Sequence, residues 1–258
     1  MNEIKEDDSQ EKWELTKSAF DYFQMANKNL KMFLNYTDAV TKEDFLHYII
    51  EQKLNNKPIE IVSPEELCLK KPGARTLEMR EYTQEFIEMF LVRSVDNFQS
   101  YIVDIIREVL KKKPELLRNR KQTLTLDEIL SYNSIEDLIG DIIESKVNSL
   151  SYEGFGKLED WFISKGIPLK VEKEQRNDVV EIIALRNIIA HNRGFVDKRY
   201  LQNVRNSSFR LGDKRIFSFK DLNMAGCILD HIVDDTDKVI SEKFKLNTMS
   251  FEFFDFRG

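Results

Sequence analysis

The stretch ALRNIIAHNRG, residues 184–194, decides how this chain reads. It begins as an apolar helix and then places Arg186, Asn187, His191, Asn192 and Arg193 within eight positions. The whole chain holds three histidines, and one of them is here. At about 100° per residue, Val179, Ile182, Ile183 and Ile189 define an apolar arc, with Arg186 in its middle beside Ala190. Asn187 and His191, four residues apart, share a neighbouring stripe. His191 lies about 140° around the helix from Arg186, so the two do not stack. A buried arginine is costly without a partner. It is either one half of an ion pair in the core or a charge held for a purpose. For the whole polar cluster at the end of an apolar helix, the second reading is the stronger.

The segments around this helix are also helical by their spacing. Ala19, Phe20, Phe23, Leu30, Phe33 and Leu34 predict a helix over 13–35. A second is expected over 41–54, with Thr41 as N-cap and Asp44 three residues on. Residues 56–76 read as an irregular connection containing a short helix start, Ser63-Pro64-Glu65-Glu66. KKPGAR, residues 70–75, then interrupts the chain. Phe86, Ile87, Phe90, Leu91, Phe98, Ile102, Ile105 and Ile106 predict one long helix over 77–112, followed by Pro114. Thr125 and Ser134 are expected to cap helices, the second running to about residue 150. Further helices are predicted over 155–164 and over 172–193, the latter stopped by Gly194. Residues 209–219, FRLGDKRIFSF, read as a small hairpin around Gly212-Asp213. Asp221 is expected to cap a last helix reaching Phe244. The aromatic tail, 246–258, is expected to pack on its own domain, and residues 1–12 to be disordered.

Composition agrees with a helical protein. The 258 residues are 41% hydrophobic and 33% charged, with nine glycines and five prolines. No apolar run reaches membrane-spanning length, and the acidic N-terminus, MNEIKEDDSQEK, lacks the blocks of a secretory signal. Cys68 and Cys227 have no metal or redox spacing, which points to a reducing, cytoplasmic setting. The net charge is −6, but two segments are basic: 186–220 holds nine Lys or Arg against two Asp, and 111–121 six against one Glu. Such segments are either solvated faces or surfaces that attract phosphate. His47, beside Phe45 and Tyr48, reads as structural. His231 with Asp234 or Asp235 has helical metal-ligand spacing, but an acidic helix face explains it more simply, and no metal or other cofactor is expected.

Arg186-Asn187-Ile188-Ile189-Ala190-His191 has the form R-N-x-x-x-H. It resembles the signature of the HEPN superfamily, as found in bacterial HEPN-like nucleases of toxin and phage-defence systems. The resemblance implies an all-α, HEPN-like helical bundle over 77–245. Residues 13–76 form an added N-terminal helical region, and 209–219 the small β-hairpin. It also implies a metal-independent endoribonuclease. The 2′-OH of RNA is the nucleophile, His191 moves protons, Arg186 holds phosphate oxygens, and Asn187 orients His191 or contacts the phosphate. Asn192, Arg193, Lys198, Arg199 and Arg205 are assigned to binding RNA. HEPN proteins commonly dimerise, so the resemblance further implies a C2 homodimer with a composite cleft. A protein or RNA antitoxin is a further partner under a toxin reading. The competing reading is an inactive HEPN-fold module that binds RNA, nucleotide or protein.

Overall fold

The computed structural model describes residues 13–60, 62–119, 123–151, 153–204 and 207–252. The expected disorder of 1–12 and the end of the aromatic tail lie outside them. The described chain is mainly helical, and none of its helices is long and apolar enough to cross a membrane. It begins with β1 (Trp13–Thr16) and α1 (Lys17–Leu54), followed by α2 (Pro64–Lys70), α3 (Ala74–Glu81) and α4 (Thr83–Lys112). A short 3-10 turn leads to α5 (Leu126–Leu130), α6 (Ile135–Ser151) and α7 (Phe155–Ser164). Then come α8 (Gln175–Asn192), α9 (Lys198–Asn203), α10 (Phe219–Phe244) and β2 (Thr248–Phe251).

Where capping chemistry is local, helix ends fall at the predicted residues. Ser63 accepts from the Glu66 N–H at 3.2 Å and starts α2. Thr125 and Glu128 form a reciprocal capping box at α5. Ser134 accepts from the Asp137 N–H and starts α6. For α10 the roles shift by three residues. Ser218 is the cap, and Asp221 closes the box by accepting from the Ser218 N–H at 2.8 Å.

Two predicted breaks fall elsewhere. The helices expected over 13–35 and 41–54 merge into one continuous helix, α1, which starts only at Lys17, because Trp13–Thr16, expected as its first turn, pairs with β2 as strand β1. Neither proline nor glycine occurs in α1, so nothing interrupts its hydrogen-bond ladder. Thr41 does not cap; its hydroxyl donates back to the Asp38 carbonyl within the helix. Asp44 is used at a distance instead. Its carboxylate accepts from the N–H groups of Arg75 at 3.1 Å and Thr76 at 2.7 Å, which caps α3 in place of the side chain that Gly73 lacks. Burial pushes the Asp44 pKa up, but these bonds outweigh it and hold the carboxyl below its usual range. The helix expected over 77–112 is divided at Tyr82 into α3 and α4.

The chain forms two compact units that alternate along the sequence, and α1, α4, α8 and α10 contribute residues to both. The first comprises the described residues of Met1–Gln24, Val95–Val180 and Cys227–Gly258. Its core includes Phe98, Tyr101, Ile105, Ile106, Phe162 and Ile232. Here β1 and β2 pair antiparallel, with Trp13 opposite Phe251 and Thr16 opposite Thr248. Phe251 is buried and meets Phe20 edge-on, so this part of the aromatic tail packs on its own unit. Three carboxylates, of which Asp237 is buried and Asp230 and Glu108 half-buried, hold the start of the chain. Asp237 accepts from the Thr16 N–H and hydroxyl, Asp230 accepts from the Tyr22 hydroxyl at 2.6 Å, and Glu108 accepts from the Ser18 N–H at 2.9 Å.

The second unit comprises Met25–Ser94 and Glu181–Gly226, again as far as described. Its core includes Ile87, Phe90, Leu91, Leu185, Ile188, Tyr200 and Phe217. The stretch expected as a hairpin, 209–219, turns at residues 210–213, where Gly212 takes a φ of 87° at the third position. Its strand-like partner is the chain after α8: Lys214 bridges to Phe195. The two-stranded sheet of the fold is β1–β2.

Candidate functional site

The polar cluster occupies the last turns of α8, within the second unit. Ile182, Ala184, Leu185 and Ile188 are buried there, while Ile183, Arg186 and Ile189 are half-buried. The buried face is thus centred to one side of the predicted arc, and Arg186 sits at its margin, partly open to solvent. Its Nη1 donates to Asn187 Oδ1 at 3.2 Å. His191 is exposed on the final turn. The structure brings Arg186 and Asn187 together; His191 follows Asn187 on the same stripe, one turn further on.

The helix end is built to present this cluster. Arg193 and Gly194 both have positive φ, 52° and 77°, and the Gly194 N–H reaches back to the Ile188 carbonyl at 2.9 Å. That sharp turn carries the chain out of the helix directly after Asn192, whose side chain donates to the Phe195 carbonyl at 2.7 Å. Asn192 is therefore engaged in shaping the loop. Arg193, Lys198 and Arg199 are exposed, the last two at the start of α9, where Asp197 is the cap. Arg205 lies outside the described residues.

Two sets of contacts that linear spacing does not disclose hold the loop in place. Lys214 donates to the Arg193 carbonyl and to Glu88 of α4, the latter at 3.3 Å, so its ammonium sits at the C-terminal end of α8. Backbone bonds from Val196 to Asp213, from Gly212 to Val196 and from Arg215 to Gly194 join the two loops. Gln84 accepts from the Phe217 N–H at 3.1 Å and fixes the far end. On the other flank, Glu181 accepts from the Tyr200 hydroxyl at 3.0 Å and from Arg215 at 3.4 Å. Arg215 also lies over the Phe209 ring, 4.1 Å from its centre. Burial and the Glu181 charge push the Tyr200 hydroxyl up to about 12, so it stays a neutral donor. Lys214 and Arg215 belong to the basic stretch 186–220, but they serve the fold. Among the described residues, the exposed basic groups of the stretch that are not tied into the loops in this way are Arg193, Lys198, Arg199, Arg210 and Lys220.

The other histidine cluster resolves into separate ion pairs on α10, that of His231 exposed and that of Asp234 mostly buried on the Asp side. His231 lies 3.3 Å from Asp235, and Asp234 pairs with Lys238 at 2.6 Å.

No family model, curated protein or solved structure matches the chain.

Proposed function

We propose that this chain is a metal-independent endoribonuclease of HEPN type, acting as a toxin or phage-defence effector. The observation that carries the proposal is the end of α8. A half-buried Arg186 bonded to Asn187 and an exposed His191 one turn on stand on a helix end fixed by Lys214, Gly194 and the paired loop. A site of this kind needs a rigid support, because misplacing a reacting group by even an ångström is expensive.

In the proposed reaction the 2′-OH of RNA attacks the adjacent phosphorus, and the bond to the 5′-oxygen of the next nucleotide breaks. His191 takes the proton from the 2′-OH or returns one to the leaving oxygen, the usual role of an imidazole in acid–base catalysis. Arg186 binds the non-bridging oxygens through its planar fork and offsets the charge that grows on them. Asn187, bonded to Arg186, holds that fork and lies on the stripe that leads to His191. Arg193, Lys198 and Arg199 bind the RNA backbone. The two proton transfers call for two groups. A C2 homodimer supplies a second His191 and brings Arg186 of one protomer towards His191 of the other, which overcomes their separation on a single helix.

Incubation of total RNA with the protein in EDTA tests this reading. The expected products carry 2′,3′-cyclic phosphate and 5′-hydroxyl ends, and single-stranded DNA is left intact because it lacks the 2′-OH. Cleavage of DNA, or 3′-hydroxyl ends on RNA, overturns it. The second reading, an inactive RNA- or protein-binding module, draws on the net charge of −6 and on the internal use of Lys214 and Arg215. It predicts binding without cleavage.

A further inference from the structure

The second unit also contains an open groove of about 540 Å³, lined by α1, α3, Tyr82 and α4. Tyr36, Tyr82, Phe86, Met79 and Met89 form its apolar surface. Tyr36 and Phe86 lie 5.1 Å apart, ring centre to ring centre. Tyr36, Tyr82 and Met89 are 44%, 52% and 42% exposed, far more than aromatic and thioether groups packed in a core. The charged residues of the groove are Glu43, Glu78, Glu85 and Arg75. Arg75 binds both Glu43 at 3.2 Å and Glu78 at 3.0 Å, which ties these three together across α1 and α3. Among the described residues Glu85 has no ion pair.

We propose that this groove binds a small organic cation with an aromatic or branched apolar body. Three observations select this occupant. Aromatic faces attract cations through their quadrupole and bind apolar groups through their area. Glu85 supplies a carboxylate that has no ion pair among the described residues. Three carboxylates against one guanidinium repel phosphate, so RNA is not the ligand here. The volume suits a small molecule, within the range of about 300–1,000 Å³ usual for such sites. The groove also adjoins the polar cluster through one helix. Glu85, Phe86 and Met89 line it, while Gln84 and Glu88 of the same α4 hold Phe217 and Lys214 of the segment that pairs with the chain after α8. The proposal does not depend on the ribonuclease reading.

Isothermal titration of the full chain with benzyltrimethylammonium chloride at low ionic strength tests it, with neutral benzyl alcohol as the uncharged comparison. Wild type is expected to give saturable one-site binding of the ammonium compound. Glu85→Gln and Tyr82→Ala are each expected to weaken it by about fivefold or more. Both residues are exposed, so the variants keep the fold, and Glu66→Gln on α2 is expected to leave binding unchanged. The proposal is overturned by absence of saturable binding at millimolar ligand, by equal affinity for benzyl alcohol, or by unchanged affinity in Glu85→Gln.

Discussion

Asp237 offers a stability prediction with an unusual sign. Its residue is fully buried, and its carboxylate accepts from the Thr16 N–H at 3.0 Å and from the Thr16 hydroxyl. Burial raises its pKa, the Thr16 bonds lower it, and the nearby Glu108 and Asp234 charges raise it again, to about 6. Most paired carboxylates titrate lower in the folded state; this one titrates higher. The folded chain therefore binds a proton that the unfolded chain has already lost between about pH 4 and pH 6. In that window the Asp237 contribution to stability falls as pH rises, and above it the ionised group remains a fixed cost. A shift of about two units corresponds to roughly 3 kcal/mol. Asp237→Asn keeps the shape and the acceptor for the Thr16 N–H but carries no charge. It is expected to stabilise the protein by on the order of 2 kcal/mol at pH 7.5, with the advantage shrinking to near zero at about pH 4. Urea unfolding of both proteins across this range measures the difference directly, and titrations of groups that do not feel the Asp237 charge cancel. A variant that is less stable at pH 7.5 by a pH-independent amount would show instead that Asp237 is needed as an anion.

Asp44→Ala removes the remote cap of α3 and is expected to cost about 1–3 kcal/mol in urea unfolding, with faster amide exchange at Arg75 and Thr76. Its pH dependence runs opposite to that of Asp237: the depressed carboxyl stabilises the fold above the unfolded pKa, and this is lost as pH falls through the folded value. Gly194→Ala places a Cβ 2.7 Å from Lys214 Nζ at a φ of 77°. It should lower stability by about 1–3 kcal/mol and reduce RNA cleavage, read in a melt and a cleavage assay on the same preparation. Arg186→Lys keeps the charge but loses the planar fork, and is expected to slow cleavage by about 10²-fold without shifting the melting temperature by more than a few degrees.

What was legible in the sequence follows the range of the interactions. Capping by Ser63, Thr125 and Ser134 acts over three residues, so the starts of α2, α5 and α6 could be read directly. The end of α8 at Asn192 followed from Gly194 in the same way. Long-range pairing could not be read. Asp44 and Thr76 are 32 residues apart, Glu88 and Lys214 are 126 apart, and Thr16 and Asp237 are 221 apart. Each is an ordinary residue in its own segment, and only the fold gives it a partner. The same limit applies to the candidate site. The cluster Arg186, Asn187 and His191 stood out because an apolar helix seldom ends that way. Its support by Lys214, Gln84 and Glu88, and the capture of Arg215 by Glu181, left no trace in spacing. Net charge over 186–220 marked a basic stretch but did not separate the cations that face solvent from those that hold the loop.

The role of His191 in RNA cleavage can be read by comparing wild type with His191→Ala on total RNA in EDTA. His191 is exposed, so its removal leaves the core intact, and equal melting temperatures verify this. Wild type is expected to cleave to cyclic-phosphate ends, and the variant to lose about 10²-fold or more of that activity. Equal cleavage by both proteins would contradict this role and remove His191 from the chemistry.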